Sequence, residues 1–214
     1  MRSTRLLLLG AIAAGMLVPV TLPVPVLRAL VTERFHVSEF WTSLFMSINM
    51  VAAFVVAPAA GAISDRIGRR KAILVGALAV DGALLLALSL RMSFPAFLAL
   101  RFAEGASHIT ALSLLLATAA DGAGPAARGR TMGTLGAGMM FGTATGAAIG
   151  GFLGQSDPLL PLRAGALLSW LVGACAWFVL PDVPAASHRP ALREIVGVVA
   201  ADRSLLVPLG FAFI

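Results

Sequence analysis

Gly61-Ala62-Ile63-Ser64-Asp65-Arg66-Ile67-Gly68-Arg69-Arg70-Lys71 is a short charged run between two long apolar blocks, residues 40–62 and 72–90. A helix rises 1.5 Å per residue, so crossing a hydrocarbon core takes about 20 apolar residues, and both blocks reach that length. The run between them reads as a turn at a membrane surface. Gly68 permits the positive φ of a tight turn, and Gly61 permits a close helix approach or a tight exit. Topogenic charge alone would explain Arg66, Arg69, Arg70 and Lys71. It explains neither two glycines at this spacing nor Asp65, whose carboxylate can engage basic groups or a helix N-terminus.

Four further blocks have the same character: residues 6–27, 95–120, 131–153 and 164–180. Of the 214 residues, 59% are apolar and 12% charged, where a soluble domain carries about 25% charged residues; the mean hydropathy is +0.94. Blocks this long and evenly apolar suit helices and not barrel strands. The fold class is therefore an all-α membrane protein, a six-transmembrane-helix bundle with the lipid bilayer as its solvent. Met1-Arg2-Ser3-Thr4-Arg5 followed by Leu6 to Leu9 imitates a secretory signal peptide. No soluble domain follows it, so it reads as an uncleaved first membrane helix.

The net charge of +6 does not point to nucleic acid, because the basic residues sit in short clusters between apolar blocks and not on one face among aromatics. The single cysteine, Cys175, excludes an intrachain disulfide and lies in an apolar block as a small hydrophobe. No metal-ligand cluster, cofactor signature or nucleophile–base constellation is visible, so an enzyme is not expected.

The basic residues also set the orientation. Arg2, Arg5, Arg66, Arg69, Arg70, Lys71, Arg128, Arg130, Arg189, Arg193 and Arg203 fall on the side of the N-terminus, and Arg28, Arg34, Arg91 and Arg163 on the other; Arg101 lies within a span. This bias places both termini in the cytoplasm, in a cell inner (plasma) membrane. The expected organisation is a six-helix domain over residues 1–184, closed by Pro181-Asp182-Val183-Pro184, and a cytosolic connector over 185–203. Residues 204–214 read as the truncated start of a seventh helix, since so short an apolar stretch cannot span a bilayer.

Residue by residue, the run at 61–71 resembles the signature Gly-x-x-x-Asp-Arg-x-Gly-Arg-Arg/Lys of the major facilitator superfamily. It stands where that family carries it, between the second and third helices on the cytoplasmic side. Leu100-Arg101-Phe102-Ala103-Glu104-Gly105 is similar to the family's second motif, Arg-x-x-Gln-Gly, with Glu104 in place of glutamine. Gly138, Gly142, Gly146, Gly150 and Gly154 recur at every fourth residue, a stripe suited to close helix packing. Extended through Gly133, Gly136 and Gly151, it resembles the antiporter motif Gly-x-x-x-Gly-Pro-x-x-Gly-Gly, with Ala147 where that motif has proline. Pro19-x-x-x-Pro23 is similar to the first-helix pattern of twelve-helix multidrug exporters of the superfamily.

The resemblance implies two six-helix halves, of which this chain is the N-terminal one and a missing C-terminal half the partner. It implies a small-molecule substrate site between the halves near the midplane, opened to alternate sides as they rock. It also implies that Asp65, with Gly61, Arg66, Gly68, Arg69 and Arg70, belongs to a cytoplasmic latch and is not a substrate ligand.

Arg101 and Glu104 are three residues apart and share a helix face, with His108 four further on. Ionisable groups at this depth cost about 2.5 kcal/mol or more each and face a water-filled cavity or one another. Two roles are open for Arg101 and Glu104: a structural pair, or a carboxylate that binds and releases a proton beside a tuning charge. Asp81 lies at comparable depth and is open as ligand, proton carrier or structural partner, an Asp81–Arg101 pair being one arrangement. The proton-coupling candidates are thus Arg101, Glu104, Asp81 and, last, His108. With no Gly-x-x-x-x-Gly-Lys-Ser/Thr loop present, the expected drive is an ion gradient. The expected function is secondary active transport of small organic molecules, as proton-coupled efflux by an antiporter. The alternatives are an importer of sugars or organic acids, and a non-transporting membrane fragment, which an in-frame stop after Ile214 would favour.

Overall fold

A computed structural model describes residues 3–181, apart from a few side chains that include those of Asp65 and Arg66. The connector over 185–203 and the segment over 204–214 lie outside the described residues. The described elements are helical: α1 (Ser3–Thr21), α2 (Val24–Phe35), α3 (Glu39–Ile67), α4 (Arg70–Leu88), α5 (Phe94–Gly122), α6 (Arg128–Leu153) and α7 (Leu160–Val179), with one 3-10 turn at Pro125–Ala127. Four stretches are long and apolar enough to cross a membrane: Thr4–Phe35, Glu39–Ala57, Arg70–Leu88 and Leu160–Val179. α5 and α6 have the length, at 29 and 26 residues. Ionisable residues in the first and glycines in the second lower their hydropathy.

The first apolar block forms two helices because of its prolines. α1 holds Pro19 and ends at Thr21, and Pro23 takes the N-cap of α2. Pro23 has no N–H to offer the Pro19 carbonyl four residues back. α7 comes close to that oxygen through Gly165, where a Cβ would lie 2.8 Å from it. α2 continues to Phe35, beyond the expected end at 27, and His36 closes it in the left-handed region (φ 49°).

The signature run is not the loop that the sequence suggests. α3 continues through Asp65 to Ile67, and Gly68, at φ 69°, caps it by donating its N–H to the Ser64 carbonyl. Arg69 follows, and α4 begins at Arg70. Gly68 therefore does what its type allows. Gly61 does not: it lies inside α3, and no described atom comes within 4 Å of where its Cβ would be.

α5 is the central helix. Phe97, Arg101, Glu104, His108, Ala111, Leu115 and Thr118 are all buried along it, a three-to-four-residue repeat that faces α3 and α4. α4 packs on both α5 and α7, and α1 packs on α6 and α7. Two apolar clusters result. One gathers Met16, Leu74, Leu78, Leu115, Leu135 and Ala176; the other gathers Leu27, Phe45, Leu85, Leu88, Phe97 and Leu162. The order along α4 (Leu78, Asp81, Leu85) and along α5 (Phe97, Arg101 to His108, Ala111) puts the buried charges between the two clusters. Large apolar side chains such as Leu7, Phe141, Phe152 and Phe178 are exposed on the outside, as lipid-facing surface requires.

The glycine stripe of α6 lies against α1 and the start of α2. A Cβ would fall 2.2 Å from the Gly10 carbonyl oxygen at Gly138, 2.2 Å from that of Ala14 at Gly142, and 1.8 Å from that of Leu22 at Gly150. At Gly146 it would meet the Thr21 hydroxyl at 2.1 Å. Gly151 makes only an ordinary contact with Pro25, and no described atom lies near Gly133 or Gly136, so these three are not part of the seam. α6 is unbroken through Ala147, where the related motif has its proline.

Gly142→Leu is expected to destabilise the bundle by about 3 kcal/mol or more, because the backbone of α1 must move away. Gly136→Ala is expected to be neutral or to stabilise by about 0.5–1 kcal/mol through helix propensity. Unfolding in detergent followed by helical circular dichroism reads both, and equal effects would contradict the seam.

Candidate functional site

The layer between the two apolar clusters is built from side chains on four helices. Arg101 and Glu104, one turn apart on α5, form an ion pair through Nη1 and Oε2, and their side chains are 2% and 0% exposed. Coulomb attraction in so apolar a setting holds the pair, but only because both charges are present. The Arg101 guanidinium also lies 6.0 Å from the ring centroid of Phe45 on α3. Asp81, fully buried on α4, does not pair with Arg101 as one reading of the sequence allowed. Its Oδ2 is 2.8 Å from the Ser169 Oγ of α7, and that hydroxyl is also 3.0 Å from the Leu78 carbonyl oxygen. Asp81 remains near enough to Glu104 and Arg101 for both charges to act on it, and the Arg101 charge reaches His108. The four residues singled out in the sequence are thus brought into one layer.

Several of their polar atoms have no hydrogen-bond partner among the described residues: Asp81 Oδ1, Glu104 Oε1, Arg101 Nε and His108 Nδ1. Asn49 Oδ1 on α3 shares that state. Gly105 admits α3 here, since a Cβ at 105 would lie 2.7 Å from the Asn49 Cα. Such a layer can take up a proton, bind one hydrogen-bonding group, or exchange one for the other. Neither Asn49 nor Ser169 was legible beforehand as a site residue. Asn49 does carry a signal, a lone amide inside an apolar block, whereas a serine is too common in membrane helices to carry one.

α4 is fastened to its neighbours through its own carbonyls. Ser107 of α5 donates to the Ala77 carbonyl (2.8 Å), and Trp170 of α7 donates through Nε1 to that of Ala79 (3.0 Å). A Cβ at Gly82 would lie 2.5 Å from that indole nitrogen.

The signature residues lie apart from this layer, around the junction of α3 and α4. Arg70, 2% exposed, is ion-paired with Asp121 in the last turn of α5, so the start of α4 is tied to the end of α5. Arg69 is exposed at the N-cap of α4, and Lys71 stands over the Trp177 ring, 5.0 Å from its centroid.

Comparison with known proteins agrees with this architecture. The chain is 27% identical over 140 residues to the 3-(3-hydroxy-phenyl)propionate transporter of Escherichia coli, covering 65% of this chain and 32% of that protein. It is 33% identical over 131 residues to major facilitator superfamily domain-containing protein 10 of Bos taurus (61% and 28% covered). It is 32% identical over 161 residues to the uncharacterized MFS-type transporter YfiU of Bacillus subtilis (73% and 27% covered). The matches thus span less than a third of the length of these relatives. The profile of the Major Facilitator Superfamily itself matches residues 6–214. With apolar helices, the signature run across the α3–α4 junction and a charged layer enclosed in the bundle, this multi-pass, all-α membrane chain belongs to that superfamily.

Proposed function

We propose that the chain forms the N-terminal six-helix half of a secondary active transporter, with α1 and α2 together as the first crossing. It carries small organic molecules outward in exchange for protons by alternating access. The observation that supports this reading is the buried layer of Asp81, Arg101, Glu104 and His108. Two buried acids stand near one guanidinium, which is ion-paired with Glu104 alone, so the layer gains or loses a charge with a single proton. The seam between α1 and α6 supports it too, since backbones in contact let helices move as packed units.

In this reading Asp65 is a latch residue toward the second half, and the Arg70–Asp121 pair holds the segment that presents it. A second reading is import of an organic acid. What favours it is the name of the Escherichia coli relative, which gives a substituted phenylpropionate as that protein's cargo. The membrane is the plasma (inner) membrane, with the N-terminus, the α3–α4 junction and the α5–α6 junction on the cytoplasmic side.

Two measurements test the proposal. In proteoliposomes holding the full-length transporter, Glu104→Gln and Asp81→Asn are each expected to lower pH-gradient-driven flux by about tenfold or more, a barrier change of about 1.4 kcal/mol, with protein levels intact. Flux indifferent to the gradient in the unaltered protein would refute proton coupling, and accumulation inside cells would favour import over efflux. Single cysteines at Arg69 and Arg130, in a background without Cys175, are expected to react with a membrane-impermeant thiol reagent only after the cytoplasmic side is opened. Opposite compartments for the two would refute the orientation.

A further inference from the structure

The geometry points to Asp81 as the group that carries the exchangeable proton, with Ser169 as its positioning partner, so that the proton's presence is communicated between α4 and α7. The inference rests on the transport reading only for its use in coupling; the protonation itself stands on the hydrogen-bond inventory.

A serine hydroxyl has one hydrogen and two lone pairs. Ser169 Oγ lies within hydrogen-bonding distance of two oxygens, the Leu78 carbonyl at 3.0 Å and Asp81 Oδ2 at 2.8 Å. If Asp81 were a carboxylate, both neighbours would be acceptors, and one hydrogen cannot serve both. A neutral acid removes the conflict. Asp81 donates from Oδ2 to Ser169 Oγ, and Ser169 donates onward to Leu78. Nothing is transferred away: the proton stays on Oδ2.

The charges around Asp81 agree. Of the groups facing it from α5, Arg101 is ion-paired with Glu104, and His108 is buried with Nδ1 unpartnered among the described residues. The one charged residue of α7, Arg163, is half exposed and paired with Asp157 at 3.4 Å. Among the described residues no guanidinium or ammonium is ion-paired with Asp81, and its Oδ1 has no donor. A carboxylate fully removed from water with one hydroxyl as its whole solvation is far less favourable than the neutral acid, whose bare carbonyl oxygen is the cheaper one to leave unpaired. Loss of the proton forces a rearrangement. Ser169 must then turn its hydrogen to Asp81 and release Leu78, and Arg101 faces two carboxylates instead of one. The α4–α7 contact thus differs between the protonated and the deprotonated layer.

Infrared spectroscopy of the full chain in lipid vesicles at neutral pH tests this. A neutral-carboxyl C=O band is expected that shifts on 13C labelling of aspartate side chains, does not shift on labelling of glutamate side chains, and is lost in Asp81→Asn. Ser169→Ala, which removes the acceptor, is expected to move the band to higher wavenumber, and Ser169→Thr to leave it in place. The isotope shift and the Ser169 pair hold even if Asp81→Asn does not fold. Absence of the band, a shift on glutamate labelling, survival in a folded Asp81→Asn, or no response to Ser169→Ala would overturn the assignment. Flux indifferent to a pH gradient with the band present would refute proton-coupled transport and leave the protonated Asp81 standing.

Discussion

A charge removed from water must find its solvation inside the protein, and the bundle is arranged around that requirement. Arg101 and Glu104 meet it for each other, one turn apart on the central helix, while Asp81 has only a hydroxyl brought by α7, too little for a carboxylate and enough for a neutral acid. The Asp81–Ser169 contact does not survive if α4 and α7 part, whereas the Arg101–Glu104 pair lies within one helix and would lose only the apolar walls around it. The apolar clusters on both sides of the layer, around Leu78 and around Leu85, keep water from substituting for the missing partner. In a bilayer the apolar contacts themselves give little preference for helix association, since lipid tails are as apolar as leucine. Polar partners and close backbone packing have to supply it.

Close packing enters at glycines, and their roles differ by position. Gly142 and Gly150 make room for carbonyls of the first crossing, Gly165 for the carbonyl that Pro23 leaves without its usual donor, and Gly105 for the backbone of α3 at Asn49. In each case the neighbour is main chain and cannot yield as a side-chain tip would. The same residue type at Gly61, Gly133 or Gly136 meets nothing among the described residues. Periodicity in a sequence marks which glycines share a face, but only the facing helix decides which of them are needed.

The fold was legible because it follows from block length: each apolar stretch became helix, with ends displaced by a few residues except where α2 ran on to Phe35. The burial of Asp81, Arg101, Glu104 and His108 was legible too, since no ionisable residue at that depth escapes a functional or structural demand. Their pairing was not. An i,i+3 spacing fixes that Arg101 and Glu104 share a face, but whether Arg101 turns to Glu104 or to Asp81 depends on the rotation of α4 against α5. The contribution of Ser169 depends on a contact 88 residues away in sequence. The signature run misled in a different way. Its charges and glycines look like a loop, yet only Gly68 and Arg69 leave the helical region there, and α3 and α4 nearly meet end to end.

The seam between α1 and α6 has one property that its individual contacts do not reveal. Glycines at every fourth position make the surface of α6 repeat after little more than one helical turn, about 6 Å. A slide of α6 by that step would set glycine against carbonyl again almost everywhere along the contact, so the stripe by itself is degenerate in register. Bulkier groups at its two ends remove the degeneracy: the Thr134 methyl against Gly10, at 2.9 Å from where a Cβ would stand, and Val26 against Gly154 at 2.1 Å. These two act as end stops on an otherwise smooth rail, and they select the alignment that the glycines leave open.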